Sequence, residues 1–346
     1  MAVSLTRRLL GYAEESGLDL TGVASAEPFT RDGESIDPLE LLAGARSIVV
    51  AGFYMKGEAT RPPATGDGPI GRFSSAYNVR SFTVMEAHYF GLIRRFLNRE
   101  GFSAVLNSDY RLPDKMAALR AGLGRYGKNS LIQTERFGSC VMFVTVVTDA
   151  PLEPSLPLPE QDPCGACDLC LGACPTGAFR APYRINRRLC ITNWLWGVPV
   201  PARLRSKQEN RLFGCGDCVQ ICPKNRELEP RRSFPVALED AEEFPALLPL
   251  ASAGPETYRR TFAAFPLRAG VDALRGNVVI ALGNAGDARA VEPLGTVLRQ
   301  ENPRIRAYSA WALGRIGGAE AVRTLKGAFC RETDASVKGE IEQALA

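Results

Sequence analysis

The sequence predicts an α/β (α+β) domain, then a small cysteine-rich domain, then a tail of short helical repeats. Three observations predict it. Helical and strand-like apolar patterns alternate through the first 150 residues. Eight of the ten cysteines fall between Cys164 and Cys222. Near the C-terminus, Arg275–Gly286 matches Arg306–Gly317 after 31 residues, with a weaker copy from Lys338 to Leu345. The boundaries that follow are 1–155, 156–235 and 236–346.

Composition agrees with such a chain. Of 346 residues, 45% are hydrophobic and 23% charged, which excludes a disordered chain, a collagen and a disulfide-dense miniprotein. The longest apolar runs, Ser47–Met55 and Cys140–Val147, are too short to cross a bilayer. The N-terminus turns polar within a few residues and reads as no signal peptide. A cytoplasmic protein is expected, and reducing conditions there argue against a disulfide framework.

In the first domain, Leu5–Ser16 has helical apolar spacing and stops at Gly17. Ser47–Phe53 reads as a buried strand, Val84–Arg99 as a long amphipathic helix and Phe102–Leu106 as a short strand. Pro113 can open a helix, with Asp114 at the positive end of its dipole, running to Ala121 and ending at Gly122. The glycine-rich turn Gly122–Asn129 follows a helix rather than a strand, so neither nucleotide-binding context applies. Its glycines would let the backbone approach a large ligand. Met142–Thr148 returns as a strand, and Pro151–Pro163 is a proline-rich linker. The lone His88 reads as a helix-face residue rather than a metal ligand.

The cysteines are spaced Cys164-x2-Cys167-x2-Cys170-x3-Cys174-Pro175, then Cys190, then Cys215-x2-Cys218-x3-Cys222-Pro223. The first run is the bacterial two-cluster ferredoxin pattern, in which the fourth cysteine ligates the other cluster. The second run lacks one early cysteine, which Cys190 supplies. One [4Fe–4S] cluster is therefore assigned to Cys164, Cys167, Cys170 and Cys222. The other is assigned to Cys174, Cys190, Cys215 and Cys218. Structural zinc also uses four cysteines, but two interleaved sets with two Cys-Pro endings favour iron–sulfur. Cys140 lies in a strand-like run and reads as a buried hydrophobe.

Between Arg180 and Arg232 twelve basic residues face four acidic ones, an excess of 12 − 4 = +8 in a chain whose net charge is +4. A solvated surface, or a site for phosphate, nucleic acid or an acidic redox partner, would explain it. The repeats have the period of HEAT-like helix pairs. Arg275, Arg289, Arg304, Arg306, Arg315 and Arg323 could line a phosphate-facing side there, or the tail could simply cap the cluster domain.

Together the α/β domain, the GLGxxGKN turn, the crossed double cluster and the HEAT-like tail resemble the epoxyqueuosine reductase family over essentially the whole chain. The first two domains are also similar to reductive dehalogenases. The resemblance implies a base-off cobalamin between the first domain and the clusters. Cob(I)alamin, fed single electrons through the clusters, would reduce epoxyqueuosine to queuosine in tRNA. It also implies a tail that helps hold the tRNA anticodon arm, a flavodoxin- or ferredoxin-type donor, and a monomer.

The Gly122–Gly124, Gly127–Asn129 and Phe137–Ser139 stretches match the family's corrin-cradling loops. Gly71–Ser74 with Tyr77-Asn78 resembles its A-R-Y-A … D-Y-H, Asn78 replacing the histidine. Cys190–Asn193 resembles C-I-S-Y. The cofactor-binding residues so implied are Tyr54, Arg72, Tyr77, Asp109, Lys128, Asn129, Ser130, Gly138, Ser139, Thr192 and Asn193.

Departures cluster on the substrate side. Where the family reads V-D-S-A-P-V-x-E, this chain has Asn107–Asp114. Ungapped counting from Gly122 puts Ser108 at the proton-donor position, and a one-residue shift puts Asp109 there. Asp109 is the expected donor, with Tyr110 as alternative. C-P-W-N becomes Cys222–Asn225, and S-Y-L-T-I-E becomes Thr192–Gly197. Two other outcomes therefore stand beside epoxyqueuosine reduction: a paralogous reductase with the same cofactors and another substrate, and a non-catalytic electron-transfer protein. Stoichiometric cobalamin separates the third from the first two, and salt-sensitive tRNA binding separates the first from the second.

Overall fold

The computed structural model describes residues 3–31, 33–57, 68–74, 81–237, 244–263, 270–300 and 302–346. The first domain is built on a four-stranded sheet in the order Leu20–Ser25, Ser47–Tyr54, Val141–Thr148, Ala104–Leu106. Every neighbouring pair is antiparallel, so the class is α+β. Ser47–Tyr54 is buried along its whole length because both sheet faces are covered. Val49, Ala51 and Phe53 face the helices Leu5–Glu15 and Ser81–Arg99. Ile48, Val50 and Tyr54 face the helix Asp114–Arg120. Pro113 is the residue before that last helix rather than its first turn.

The proline-rich stretch is not a free tether. Leu152 is buried with its N–H donated to Ser47 Oγ at 3.0 Å. Ser155 exchanges bonds with Val23, N–H to carbonyl at 2.8 Å and hydroxyl from N–H at 3.0 Å. A β-carbon on Gly122 would stand 2.4 Å from the Leu156 carbonyl oxygen. At Gly122 the turn thus admits the chain's own backbone. The turn continues into a small hairpin, Arg125–Tyr126 with Ile132–Gln133, which periodicity did not indicate.

The cysteine-rich domain consists of short pieces, including Leu169–Gly172, Ile191–Leu195, Asp217–Gln220 and Pro223–Arg226. The tail is a stack of helices, Val271–Ala285, Val291–Val297, Pro303–Ile316, Gly318–Phe329 and Ala335–Leu345. Its core is continuous with that of the cysteine-rich domain: Ile191, Trp194, Leu195, Val200 and Leu212 pack with Leu274, Val278, Leu313 and Ile341. Buried polar hooks reinforce the join. Asn277 Nδ2 donates to the carbonyls of Leu212 (3.0 Å) and Leu195 (3.3 Å). Arg205 forms a bidentate pair with Glu340, both contacts 2.7 Å.

These contacts revise the reading of the tail arginines. Arg275 pairs with Asp272, Arg289 with Asp287 and Arg306 with Glu332, and Arg304 donates to the Gly197 carbonyl. Arg289 is exposed although paired, and Arg315 and Arg323 are exposed as well. Three bases of the +8 segment are likewise internal: Arg205, Arg211 (with Glu209 and Asp217) and Arg231 (with Asp19).

Candidate functional site

Cys164, Cys167, Cys170 and Cys222 wall one pocket of about 540 Å³, together with Lys128, Asn129, Pro163, Leu169, Pro223 and Lys224. Around Cys218 the charged neighbours are Cys215, Cys190, Cys170 and Cys174, so the second set also converges. Among the described residues, no three Cys, His, Asp or Glu side chains gather tightly enough to hold one metal ion. A cubane spreads its four thiolates over separate irons, so it does not require such a tight group. The thiol chemistry fits a cationic guest. Burial pushes Cys215 up to about 12, and burial with neighbouring thiols raises Cys170, Cys218 and Cys222. Such thiols ionise together only when metal replaces the protons. Backbone donors already address the sulfurs: Lys128 N to Cys164 Sγ at 3.4 Å and Ala178 N to Cys174 Sγ at 3.2 Å.

Beside the second set, a cleft of about 650 Å³ separates the first domain from the cysteine-rich one. Its first wall is the strand edge Val141–Phe143 with Ser139, Ser130 and Tyr126; the opposite wall is Tyr183–Ile185 and Arg187. Tyr110, Asp114 and Lys115 close one end. The space falls within the roughly 300–1,000 Å³ of a ligand pocket. Ser130 adopts φ +59° and its buried hydroxyl has no partner in the protein, a group that a ligand in the cleft would satisfy. Arg31, Lys115, Arg184 and Arg187 face Asp114 across this space, giving it an excess of positive charge.

The expected site residues divide into three groups. Ser130 and Ser139 line the cleft, as does Tyr110. Lys128 and Asn129 line the first cluster's pocket instead, Lys128 Nζ donating to the Gly165 carbonyl at 2.6 Å and Asn129 Nδ2 to the Cys218 carbonyl at 3.4 Å. Thr192 accepts from Cys215 N at 3.2 Å, and Asn193 Nδ2 donates to the Arg187 carbonyl at 2.8 Å, so both support the second set. Tyr54, Arg72 and Gly138 are outside the cleft. The Tyr54 ring stacks on Phe137, 4.7 Å between centroids, and its hydroxyl donates to the Glu229 carbonyl. Arg72 pairs with Glu209 at 3.1 Å, beside the short parallel pairing of Arg72–Phe73 with Arg211–Phe213. Gly138 abuts Asn225: a β-carbon there would lie 2.1 Å from its Oδ1. Tyr77 and Asn78 fall outside the described residues.

Asp109 lies on the outer side of its loop. Asn107, 2% exposed, closes that loop by exchanging bonds with Leu112, Nδ2 to carbonyl at 2.9 Å and N–H to Oδ1 at 3.1 Å. With Tyr110 at φ +54°, the Tyr110 ring goes to the cleft and Asp109 to the outside. There Asp109 is 57% exposed and pairs with Arg111 at 3.0 Å. Asp114 accepts from Asn107 Nδ2 at 2.8 Å. His88 is half-buried on its helix and away from the cleft. Cys140 is buried as expected and Cys330 is exposed.

Residue-by-residue reading missed two groups. Lys115 donates from Nζ to the Ser130 carbonyl at 2.8 Å; burial and Arg187 push its ammonium down, while Cys190, Cys218 and Asp114 oppose the shift. Asn225 joins the domains. Its Oδ1 accepts from Ser139 N at 2.9 Å, and its Nδ2 donates to Ser139 Oγ and the Val219 carbonyl, each at 2.8 Å. The helical offset of a lone lysine on Asp114–Arg120 carried no signal, whereas the Cys-Pro-Lys-Asn run did flag Asn225.

Known proteins share these features. Residues 163–225 match the 4Fe-4S double cluster binding domain, and residues 266–346 match HEAT repeats. The epoxyqueuosine reductase of Bacillus subtilis (strain 168) is 30% identical over 371 aligned positions, covering 99% of this chain and 95% of its own. That of Pseudomonas aeruginosa is 35% identical over 229 positions, covering 63% and 61%. A crystal structure of an epoxyqueuosine reductase with a tRNA-Tyr epoxyqueuosine-modified stem loop superposes with a TM-score of 0.85 at 29% identity, covering 99% of this chain and 98% of that one.

Proposed function

This chain belongs to the epoxyqueuosine reductase family, and on that premise we propose that it reduces epoxyqueuosine to queuosine in tRNA, using two [4Fe–4S] clusters and base-off cobalamin. The observation that carries the reading is the convergence of two four-cysteine sets beside a cleft of ligand-binding size. Cobalamin held in the cleft would supply a strongly reducing cobalt, and the two cysteine sets would hold the clusters that bring it electrons.

The chain's own residues do the rest. Ser130 and Ser139 would hold the cofactor from the first domain's wall, Ser130 through its unpartnered hydroxyl. The cations Arg31, Arg184 and Arg187 favour the phosphate groups of a nucleic-acid substrate at the mouth. Opening an epoxide leaves an oxyanion that must gain a proton. Tyr110, which lines the cleft, would hold that proton at Oη, while Asp109 would do so only with its loop turned inward. Arg72, Thr192 and Asn193 keep the frame rather than touch the ligand. The tail would help hold the anticodon arm. A flavodoxin- or ferredoxin-type donor, a cytoplasmic location and a monomeric state complete the proposal; no described helix is long and apolar enough to cross a membrane.

Expression in a bacterium lacking its own epoxyqueuosine reductase tests the reading, with tRNA nucleosides analysed by mass spectrometry. Queuosine should replace epoxyqueuosine. Persistent epoxyqueuosine with a protein that holds iron and cobalamin would favour the second reading, the same cofactors acting on another substrate. The departure from the family's pattern over Asn107–Asp114 is the observation on that side.

A further inference from the structure

We infer that Lys115 is a positioning residue for the electron relay: its ammonium, fixed between the cleft and the second cysteine set, keeps the second cluster as reducible as the first. The inference rests on the two-cluster reading above.

The two cysteine sets differ in their access to water. Cys167 of the first set is exposed. The four of the second set, Cys174, Cys190, Cys215 and Cys218, are all partly buried. Reducing a cubane adds negative charge to a site that already carries it, and a buried site resists added charge more than a wet one. Cluster potentials follow burial, net charge and hydrogen bonding to the sulfurs. Left to burial alone, the second cluster would be the harder of the two to reduce. An electron leaving the first cluster for the cleft would then move uphill.

Lys115 offsets this. Its Nζ is pinned to the Ser130 carbonyl at 2.8 Å, and Ser130 follows Asn129, whose Nδ2 donates to the Cys218 carbonyl at 3.4 Å. The ammonium therefore sits one short chain of contacts from a ligand of the second cluster. Cys190 and Cys218 are the thiols within its electrostatic reach, and both belong to that set. Arg187 also lies near, three residues before Cys190, but its side chain is exposed at the cleft mouth, where water and salt screen it. On the first cluster's rim Lys224 is exposed in the same way. The step itself is balanced. One electron passes, the first cluster is oxidised and the second reduced, and no bond forms or breaks. The electron comes from a low-potential donor of the flavodoxin or ferredoxin class, or from dithionite in the experiment.

The test is an EPR-monitored redox titration of anaerobically reconstituted full-length protein, with dithionite as reductant and the first cluster's signal identified as the one perturbed in Cys167→Ser. In Lys115→Met the reduced-to-oxidised ratio of the second cluster at fixed potential should fall about tenfold, equivalent to about 59 mV for a one-electron couple. The first cluster's midpoint should stay in place, and Lys115→Arg should restore the second. Equal shifts of both clusters, no shift, or an arginine variant that behaves like methionine would overturn the inference with both clusters intact. Loss of iron in both Lys115→Met and Lys115→Gln would also overturn it, by making Lys115 an assembly residue. Fewer than about eight irons in the unaltered protein would instead overturn the two-cluster reading, and the inference with it.

Discussion

Replacing Asn225 by alanine should loosen the join between the first domain and the cluster domain. The side chain is 2% exposed and makes three hydrogen bonds at 2.8–2.9 Å. Removing it leaves Ser139 N buried without its acceptor, which costs about 1–3 kcal/mol. The Val219 carbonyl keeps a weaker bond from Cys222 N at 3.3 Å. The two lost donor contacts therefore add only about 0.5–1 kcal/mol each. The sum is roughly 2–5 kcal/mol. Metal-loaded multidomain proteins do not unfold in two states, so the assay is the apparent Tm of the reconstituted protein at one scan rate, with iron content alongside. At roughly 2–4 °C per kcal/mol the Tm should fall by roughly 5–15 °C. Asn225→Asp should be about as damaging, because a carboxylate can accept from Ser139 N but has nothing to donate to the Val219 carbonyl. Ser139→Ala, which loses only the hydroxyl, should cost about 1 kcal/mol. A Tm for Asn225→Ala within about 1 °C of the parent would refute the reasoning.

Three further outcomes follow from the site and the tail. Cys222→Ala should remove the first cluster although Cys164, Cys167 and Cys170 remain, leaving about half of the eight irons expected for two cubanes; retention of both EPR signals would show the crossed ligation to be wrong. Tyr110→Phe should keep iron and cobalamin but lose most turnover, about 10²-fold or more for a lost general acid, while Asp109→Asn loses little; the reverse ranking in a tRNA turnover assay would return the role to Asp109. Arg306 holds the Glu332 carboxyl well below its usual 4.5, at about 2, through two side-chain hydrogen bonds. The folded pKa lies below the unfolded one, so this stability is complete above about pH 4.5 and is lost as pH falls toward 2. Glu332→Gln should therefore be less stable by roughly 1–2 kcal/mol at pH 7, with the gap closing over that window; a gap unchanged down to pH 2.5 in acid-unfolding curves would count against it.

The parts legible in the sequence are those governed by local rules. Strand Ser47–Tyr54 is announced by an unbroken apolar run, because both faces of its sheet are covered. The cysteines announce themselves because cubane geometry restricts ligand spacing. What was not legible depends on partners far along the chain. Tyr54 and Gly138 looked like ligand contacts, yet their neighbours are Glu229 and Asn225, roughly 90–175 residues on. Which of Asp109 and Tyr110 lines the cleft turns on one residue of offset, and the Asn107 side chain and a positive φ at Tyr110 set that offset. Lys115 has no motif around it, and only its bond to Ser130 brings it beside the second cysteine set.

The shared core of cluster domain and tail has a consequence for synthesis. The helix Ile191–Leu195 begins next to the ligand Cys190, and its apolar face is covered by residues such as Leu274, Val278 and Leu313. Those residues leave the ribosome well after the last ligand, Cys222. At about 5–20 residues per second, the roughly 110 residues of the tail take about 5–20 s to emerge. For that interval eight thiols are outside the tunnel while the floor beneath Cys190 is missing. The chain must therefore either accept iron–sulfur clusters after its tail has closed or carry them in a half-built domain exposed to oxidants. Slowing the ribosome within the tail would lengthen that exposure and lower the iron content of the finished protein, with no change to any ligand.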